Sequence, residues 1–320
     1  MRYCIISDIE GNITALEAIL QHASTQHIDQ YLFLGDMIGA YAANDKVLAQ
    51  IINLSAQYPT IALQGQNEKD LLAQTPASTA TTAEQQQITY TPLQPLHLQF
   101  IQDLPTTAEI ADTHGQLIYL QHHSDLFFRA SPAIDLFHPL NYRAIMTKSP
   151  FSYAEYLLFA RGQFLSTPGT LDLLLTTPGG IYLFGKNHLQ FNMEYDHHAF
   201  INPGSGGAPL DWNPSAAYTI LETLPQSKYN IQDHRIPYNH DTVAQTMDIS
   251  GFTQAAPMLA KLYKMQGAHA RDYVTSFMLH VQDVAKKHNQ PYNPAPDHIW
   301  REASDTYDTR RIGGVVKGRD

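Results

Sequence analysis

Short apolar runs and amphipathic segments alternate along the first 70 residues of the chain. Apolar runs closed by glycine or polar residues predict buried strands, and apolar positions three or four residues apart predict helices. This alternation is typical of a parallel sheet whose strands are joined by crossover helices. The predicted order is strand, helix, strand, helix, strand, at residues 2–7, 14–23, 31–34, 45–55 and 60–63.

The patterns are weaker in the middle of the chain. Residues 74–92 are rich in Thr, Ala, Gln and Pro, so we expect a loop or a poorly ordered excursion there. The following residues predict a helix at 93–104, a hairpin of 107–111 with 116–121, and a mixed, mostly helical region at 125–175, whose clearest helix is 153–161.

From residue 180 the pattern returns to strands and then ends in helix. Runs of short strands suggest a second, largely antiparallel sheet. The amphipathic helix at about 269–288 has an apolar stripe, which we expect to pack on its own domain rather than on a partner chain. We divide the chain into a main domain of residues 1–225, a C-terminal strand and helical extension of 226–290, and a tail of 291–320 that wraps the surface or frays. The strands are predicted at residues 181–184, 189–195, 198–201, 217–224 and 229–236.

Composition and charge exclude several classes of protein. With 43% hydrophobic and 16% charged residues, the chain of 320 residues is too apolar to be disordered. Its single cysteine, Cys4, excludes an intrachain disulfide scaffold and favours a reducing compartment. The formal net charge of −10 gives no general attraction for nucleic acid, and no apolar segment predicts a signal peptide or a membrane span. We therefore expect a cytoplasmic protein without nucleic-acid or membrane partners.

Polar residues follow five predicted strands at the point where each strand ends. Ligands of open α/β sheets bind outside the carboxyl ends of the strands. Any one of these residues alone is better explained as a helix cap or a turn former. Five such segments in succession are not explained by capping, and they predict a metal site. The segments are Ser7-Asp8-Ile9-Glu10, Gly35-Asp36, Gly65-Gln66-Asn67-Glu68, Gln121-His122-His123 and Gly185-Lys186-Asn187-His188.

These motifs resemble those of the calcineurin-like metallophosphoesterase superfamily. More narrowly, the chain is similar to the bacterial branch that includes asymmetric diadenosine tetraphosphate hydrolases. The resemblance runs from Arg2 to about Leu224 and includes Asn202-Pro203-Gly204-Ser205, which matches a turn of that branch. It implies an α/β fold in which two β-sheets pack face to face as a sandwich flanked by helices, with a C-terminal helical extension.

The resemblance also implies a metal centre. In the family, two divalent cations share a bridging Asp and a water or hydroxide. The bridging ligand here would be Asp36. The first site would add Asp8, Glu10 and His188, and the second would add Gln66, His122 and Lys186.

Four of these functional positions depart from the family pattern. The family has His where Glu10 and Lys186 stand, and Asn where Gln66 stands. It often has His where Asn67 stands, as the group that protonates the leaving oxygen. Glu10 keeps an oxygen ligand, which favours Mn²⁺ or Mg²⁺ over Fe or Zn. A protonated Lys186 repels a cation, so we expect one divalent metal per chain rather than two.

Charge supports the same expectation. Asp8, Glu10 and Asp36 supply −3 and Lys186 supplies +1, which leaves −2 for one divalent cation to neutralise. In the usual arrangement, two carboxylates face two cations and leave a positive surplus that holds the phosphate. A site near neutrality should hold phosphate less well. Of the 16 histidines, only His122 and His188 fall on expected ligand positions.

Three hypotheses follow from the sequence. The first is a one-metal hydrolase of a phosphodiester, a phosphomonoester or a nucleotide, with Asp36, His122, Lys186 and Asn67 as catalytic residues. The second is a degenerate member that binds a nucleotide or a protein partner without turnover. The third is an assembly protein that forms an oligomer through its C-terminal helices, with the metal site a relic.

Overall fold

Two five-stranded β-sheets form the centre of the protein. The computed structural model describes residues 1–73, 93–123, 170–292 and 295–311, together with the single positions 158 and 162. Apart from position 158, the predicted excursion and the predicted helix at 153–161 lie outside the described residues. The strands in chain order are β1 (Arg2–Ile6), β2 (Gln30–Phe33), β3 (Thr60–Ala62), β4 (Thr107–Ala111), β5 (Leu117–Gln121), β6 (Gly180–Phe184), β7 (Gln190–Tyr195), β8 (His198–Pro203), β9 (Ala216–Leu224) and β10 (Lys228–Ile236).

The first sheet has the order β10-β9-β1-β2-β3. The three strands β1, β2 and β3 run parallel, as the alternation of strands and helices predicted. Along β1, Tyr3 and Ile5 face the second sheet, while Cys4 and Ile6 face the helices on the other side. Both faces are therefore buried, which explains why β1 is an uninterrupted apolar run rather than an alternating one.

The second sheet is mixed, with the order β4-β5-β6-β8-β7. The hairpin of β4 with β5 is confirmed, but β5, β6 and β8 pair in parallel. The prediction of a largely antiparallel second sheet was therefore wrong. We assigned strands β9 and β10 to it, but they belong to the first sheet, where β9 pairs with β1 and β10 pairs with β9. Short strands do not reveal their partners, because pairing depends on the path of the chain between them.

Helices cover the outer faces of the sandwich. They are α1 (Ile13–Ala23), α2 (Asn44–Ser55), α3 (Gln66–Ala73), α4 (Pro95–Asp103) and α5 (Thr170–Thr176). The core between the two sheets contains aliphatic residues of both, including Leu32 and Leu34 of the first sheet and Ile118 and Leu183 of the second.

The C-terminal helices form a layer with its own core. They are α6 (His240–Ile249), α7 (Phe252–Ala255), α8 (Pro257–His269), α9 (Tyr273–Lys287) and α10 (Asp297–Thr306), followed by a 3₁₀ turn at Thr309–Arg311. The apolar stripe of α9, with Phe277 and Val281, packs within this layer, as we favoured. Helix α10 lies within the predicted tail and buries Ile299 and Trp300. The predicted domain boundary at residue 225 falls in the turn between β9 and β10, so β10 belongs to the sandwich.

No helix in the described parts of the chain has both the length and the apolar character needed to cross a membrane.

Candidate metal centre

The candidate ligands meet where strands of both sheets end. Asp8 and Glu10 follow β1, Asp36 follows β2, His122 follows β5 and His188 follows β6. The structure brings these five residues together in two overlapping groups. One is Asp8 with Asp36 and His122, the other is Asp8 with Glu10 and His188, and in each group the ligand atoms lie within 4.8 Å of one another. Asp8, which is common to both, is fully buried.

Both histidines present the same ring nitrogen to the carboxylates. Nδ1 of His122 lies 2.8 Å from the carbonyl oxygen of Leu34, and Nδ1 of His188 lies 2.7 Å from that of Ala208. Because a carbonyl only accepts, each Nδ1 carries a hydrogen and donates it. Nε2 of His188 then lies 3.6 Å from a carboxylate oxygen of Asp8. Metal-ligating histidines are held in this way, with one ring nitrogen bonded to a carbonyl and the other facing the cation.

His122 and Asp36 form a buried pair. Nε2 of His122 lies 3.0 Å from Oδ2 of Asp36, but that nitrogen has no well-aligned hydrogen-bond partner among the described residues. Burial disfavours the charged form of both groups, but their attraction is stronger. It raises the pKa of His122 to about 9 and, with the Asn67 amide, lowers the pKa of Asp36 to about 2. In the metal-free protein His122 is therefore protonated at neutral pH, and only its neutral form could ligate a cation.

Glu10 is held by the protein on two sides. Its Oε1 lies 3.7 Å from Nε2 of His188, while its Oε2 accepts hydrogen bonds from the Asn67 side-chain amide at 3.0 Å and from the Ala40 amide at 3.4 Å. Burial, followed by the negative charge of Asp36, raises the pKa of Glu10 well above its usual range. A divalent cation placed beside these carboxylates would relieve that repulsion.

The backbone is strained at the residues that converge on the centre. Asp8, Glu10, Asp36, Lys186 and His188 all have left-handed conformations, with φ of 53°, 55°, 49°, 79° and 56°. Residues with a side chain adopt this conformation at a cost of about 1–3 kcal/mol each. At these five positions the left-handed backbone turns the side chain from the end of its strand towards the centre. Strain of this kind is typical of functional sites, where the surrounding structure offsets it.

Lys186 occupies the side of the centre near Asp36 and His122. Its backbone amide lies 3.2 Å from both carboxylate oxygens of Asp8. Its positive charge contributes to the lowered pKa of Asp36, after the larger effects of burial and His122, and it opposes the protonation of His122. The chain thus carries a positive charge of its own near the ligand group of Asp36 and His122.

Gln66 and Asn67 point in different directions. The side chain of Gln66 is exposed and donates a hydrogen bond of 2.7 Å to Asp70, so the structure does not bring it to the centre. Asn67 does reach the centre. Its side-chain amide donates to Glu10 and its backbone amide donates to Asp36 Oδ1 at 2.7 Å, so it holds two ligands in place.

Glu68 belongs to one of the five strand-end segments, but sequence reasoning missed its role at this site. It is fully buried and accepts hydrogen bonds from the backbone amides of Gly65, Asp36, Met37 and Ile38, at 2.7–3.0 Å. Burial and the nearby charge of Asp36 raise the pKa of Glu68 to about 7. A signal was available, because a Glu in the first turn of a helix often bonds back to the amide just before that helix. Glu68 thereby fixes the loop that carries Asp36.

The Asn202-Pro203-Gly204-Ser205 segment supports the candidate metal centre through hydrogen bonds to neighbouring loops. Ser205 Oγ donates to the carbonyl of Asp8 at 2.6 Å and accepts from the amide of Ala208 at 2.7 Å. The Asn202 side-chain amide donates to Gly185 O at 2.9 Å. These bonds tie the loops after β1, β6 and β8 together, which explains why this turn accompanies the ligands.

Known proteins resemble this chain mainly in structure. No protein-family model matches the sequence. A metallophosphoesterase of Sphaerobacter thermophilus aligns with a TM-score of 0.52 and 20% identity, over 83% of this chain and 99% of its own. The fold is metallophosphoesterase-like. A hypothetical protein of Pyrococcus horikoshii OT3 also aligns, with a TM-score of 0.56 and 14% identity over 82% of this chain and 97% of its own.

In sequence, an uncharacterised protein of Methanocaldococcus jannaschii is 23% identical over 240 residues, which are 73% of this chain and 87% of that relative. The predicted two-sheet fold flanked by helices is confirmed by the structural likenesses. At these identities they establish the fold alone, so the candidate ligands rest on the geometry described above.

Proposed function

We propose that this chain is a metal-dependent phosphoesterase that binds one divalent cation, with Mn²⁺ or Mg²⁺ favoured over Fe or Zn. Asp8, Glu10 and His188, which form one of the two ligand groups, would hold the cation together with Asp36, which shares the other group with Asp8. The observation that carries the proposal is the orientation of His188 and His122, whose Nδ1 atoms bond to carbonyls while Nε2 faces buried carboxylates. A bound divalent cation supplies an activated water and polarises a phosphoryl oxygen.

The chain's own charges would bind the phosphate. His122 carries a proton on Nε2 at neutral pH, because Asp36 raises its pKa. Together with the ammonium group of Lys186, it offers N–H donors to the phosphate oxygens. Asp36 orients His122 through their 3.0 Å contact. For Asn67, the hydrogen bond to Glu10 favours a role in positioning that carboxylate over direct action on the leaving oxygen.

The proposed substrate is a small phosphorylated molecule, either a phosphodiester, a phosphomonoester or a nucleotide. The resemblance to asymmetric diadenosine tetraphosphate hydrolases favours a nucleotide. The acidic net charge of −10 argues against nucleic acid, and a single cysteine is consistent with a cytoplasmic location. An oligomer formed through the C-terminal helices stays a prediction.

One observation favours a second candidate, a protein that binds its ligand without turnover. His122 and Lys186 already place positive charge beside Asp36, where a second cation would otherwise bind. Gln66 bonds to Asp70 rather than facing the centre. A centre with this charge would hold a nucleotide but would stabilise the transition state less than a two-metal centre does.

Metal content and turnover separate these candidates. The purified full chain would be analysed for bound metal. It would then be assayed with Mn²⁺ on bis-p-nitrophenyl phosphate, p-nitrophenyl phosphate and dinucleoside polyphosphates. We expect bound metal and Mn²⁺-dependent hydrolysis that is lost in Asp36→Ala. Bound metal without hydrolysis would support the second candidate. If the chain binds no metal and hydrolyses none of these substrates faster than Asp36→Ala does, the phosphoesterase proposal is refuted.

A double substitution tests the assignment of the two altered positions. Lys186→His with Glu10→His restores the residues of the resembled family. We expect bound metal to rise towards two ions per chain, because the ammonium charge that opposes a second cation is gone. Unchanged stoichiometry would mean that these residues do not occupy the assigned ligand positions.

A further inference from the structure

The C-terminal helical layer, residues 240–306, contacts the sandwich at the loops behind the metal centre. A buried apolar cluster joins the two parts: Tyr41 and Ala208 come from sandwich loops, and Val243, Met247 and Ala260 come from α6 and α8. The layer therefore docks on two particular loops, residues 37–43 and 204–212.

Each of these loops also holds a candidate ligand. The backbone amide of Tyr41 donates to the carbonyl of Glu10 at 2.8 Å, and the amide of its neighbour Ala40 reaches the Glu10 carboxylate at 3.4 Å. The carbonyl of Ala208 accepts the 2.7 Å hydrogen bond from Nδ1 of His188. Tyr41 and Ala208 thus touch a ligand on one side and the helical layer on the other.

Polar contacts fix the helical layer to the same loops. The Tyr41 hydroxyl donates to the carbonyl of Tyr263 in α8 at 3.2 Å, and its ring meets the Tyr263 ring edge-on at 6.1 Å. The amide of Trp212 donates to the carbonyl of Ala270, just beyond α8, at 3.0 Å. Both loops are therefore held at defined positions relative to α8.

The other ligand group is supported differently. His122 is held by the carbonyl of Leu34, and Asp36 is held by the amide of Asn67 and, through its own amide, by Glu68. All of these partners belong to the sandwich. Movement of the helical layer should therefore act on Glu10 and His188 more directly than on His122 and Asp36.

We propose that Tyr41 is a positioning residue through which helix α8 sets the geometry of Glu10 for the cation, and thereby the 3.7 Å contact of Glu10 with Nε2 of His188. This rests on the proposed metal binding of the chain. Outer contacts of metal ligands commonly alter metal affinity by about 10–100-fold when they are removed. Here the contact that supports the ligand through Tyr41 would come from the C-terminal helical layer.

Gly267 in α8 provides a sharp test. A Cβ at this position would lie 3.2 Å from the Tyr41 hydroxyl, so the hydroxyl must move by a few tenths of an ångström. Alanine is also a better helix former than glycine, so Gly267→Ala should not lower the melting temperature. We expect the Mn²⁺ affinity of Gly267→Ala, measured by calorimetry, to fall about tenfold. In a Tyr41→Phe background the same change should have less than about a twofold effect, because the hydroxyl is gone.

Two controls separate positioning from general destabilisation. Tyr218→Phe removes a hydroxyl of β9 that lies 2.6 Å from Nδ1 of His22 in α1. Because this hydroxyl bonds to a helix rather than to a loop that carries a ligand, the change should leave Mn²⁺ affinity unchanged. In the metal-free protein, nitrogen NMR of the imidazole rings should show Gly267→Ala shifting the signals of His188 more than those of His122.

Unchanged Mn²⁺ affinity in Gly267→Ala would overturn the proposal, as would equal losses in the two Tyr41 backgrounds. If the unaltered chain binds no Mn²⁺, the proposed function fails, and the metal-free spectra still decide on positioning. Shifted His188 signals would then support it, and unshifted signals would reject it.

Discussion

The buried pair of His122 and Asp36 predicts how the stability of the metal-free protein depends on pH. The substitution that tests this dependence is Asp36→Asn, which keeps the shape of the side chain and removes its charge. The pKa of His122 is raised from 6.5 to about 9, and that of Asp36 is lowered from 3.8 to about 2. At about 1.4 kcal/mol per pH unit, these shifts correspond to about 3 and about 2 kcal/mol. Both shifts describe the same interaction between His122 and Asp36, so the two energies are not added. We take the smaller energy, about 2 kcal/mol, as the expected stabilisation.

The sign follows from proton binding. Below pH 6.5 His122 is protonated in both the folded and the unfolded chain, so its stabilisation is fully present. Above 6.5 the unfolded chain releases this proton first, and the stabilisation is lost as the pH rises through about 9. The contribution of Asp36 is present above pH 3.8 and is lost as the pH falls through about 2.

Urea unfolding of chelator-treated protein between pH 6 and pH 10 measures this effect. At pH 6 the unaltered chain should exceed Asp36→Asn in free energy of unfolding by about 2 kcal/mol. The difference should shrink towards zero near pH 10, because the neutral imidazole no longer attracts the carboxylate. Parallel curves across this range would refute the claim that an imidazolium–carboxylate pair occupies the centre.

Three further predictions test the supports of the site. Glu68→Ala leaves four backbone amides without their buried acceptor, so we expect a loss of about 3 kcal/mol or more in urea unfolding; a loss below about 1 kcal/mol would contradict this role. Gly39→Ala places a Cβ onto the Glu10 carboxylate and should weaken Mn²⁺ binding about tenfold in calorimetry. Gly115→Ala also strains the backbone, at a φ of +80°, but lies at the opposite end of β5 from His122 and should leave Mn²⁺ binding unchanged. Mn²⁺ affinity should rise with pH, because the cation competes with the proton that Glu10 retains through its raised pKa. Proton release measured in buffers of different ionisation enthalpy checks this, and a flat profile would argue against it.

The parts of the fold that follow local patterns were predictable from the sequence. Strands β1 to β3 are continuous apolar runs because both faces of their sheet are buried, and the chain between them is long enough for a helix. The partners of β8 were not predictable, since it forms a hairpin with β7 and also lies parallel to β6. Such pairing depends on contacts between strands that are distant in the chain.

The candidate site, like the fold, was predictable only in part from the sequence. The candidate ligands Asp8, Glu10, Asp36, His122 and His188 were proposed because polar residues follow predicted strands and match the resembled family, and the structure brings these five together at strand ends of both sheets. Gly35, beside Asp36, has a positive φ, and the ligands Asp8, Glu10, Asp36 and His188 also adopt left-handed backbone conformations. That strain is tolerated only because hydrogen bonds from distant loops hold it, and no local pattern encodes those bonds.

The sequence also did not reveal which hydrogen-bond partners orient the side chains of the site. The tautomer of His122 is set by a carbonyl 88 positions earlier in the chain, and that of His188 by a carbonyl 20 positions later. The direction of the Gln66 side chain depends on Asp70, four residues further along α3, rather than on the centre. Residue type therefore indicated the chemistry of the site, and only the folded chain defines its geometry.

The most direct test of the account is the number of Mn²⁺ ions that the metal-stripped full chain binds, followed by electron paramagnetic resonance. We predict one ion per chain, and loss of that ion in Asp8→Asn, because Asp8 is common to both ligand groups. Two ions per chain, none, or one ion that survives Asp8→Asn would contradict the proposed centre.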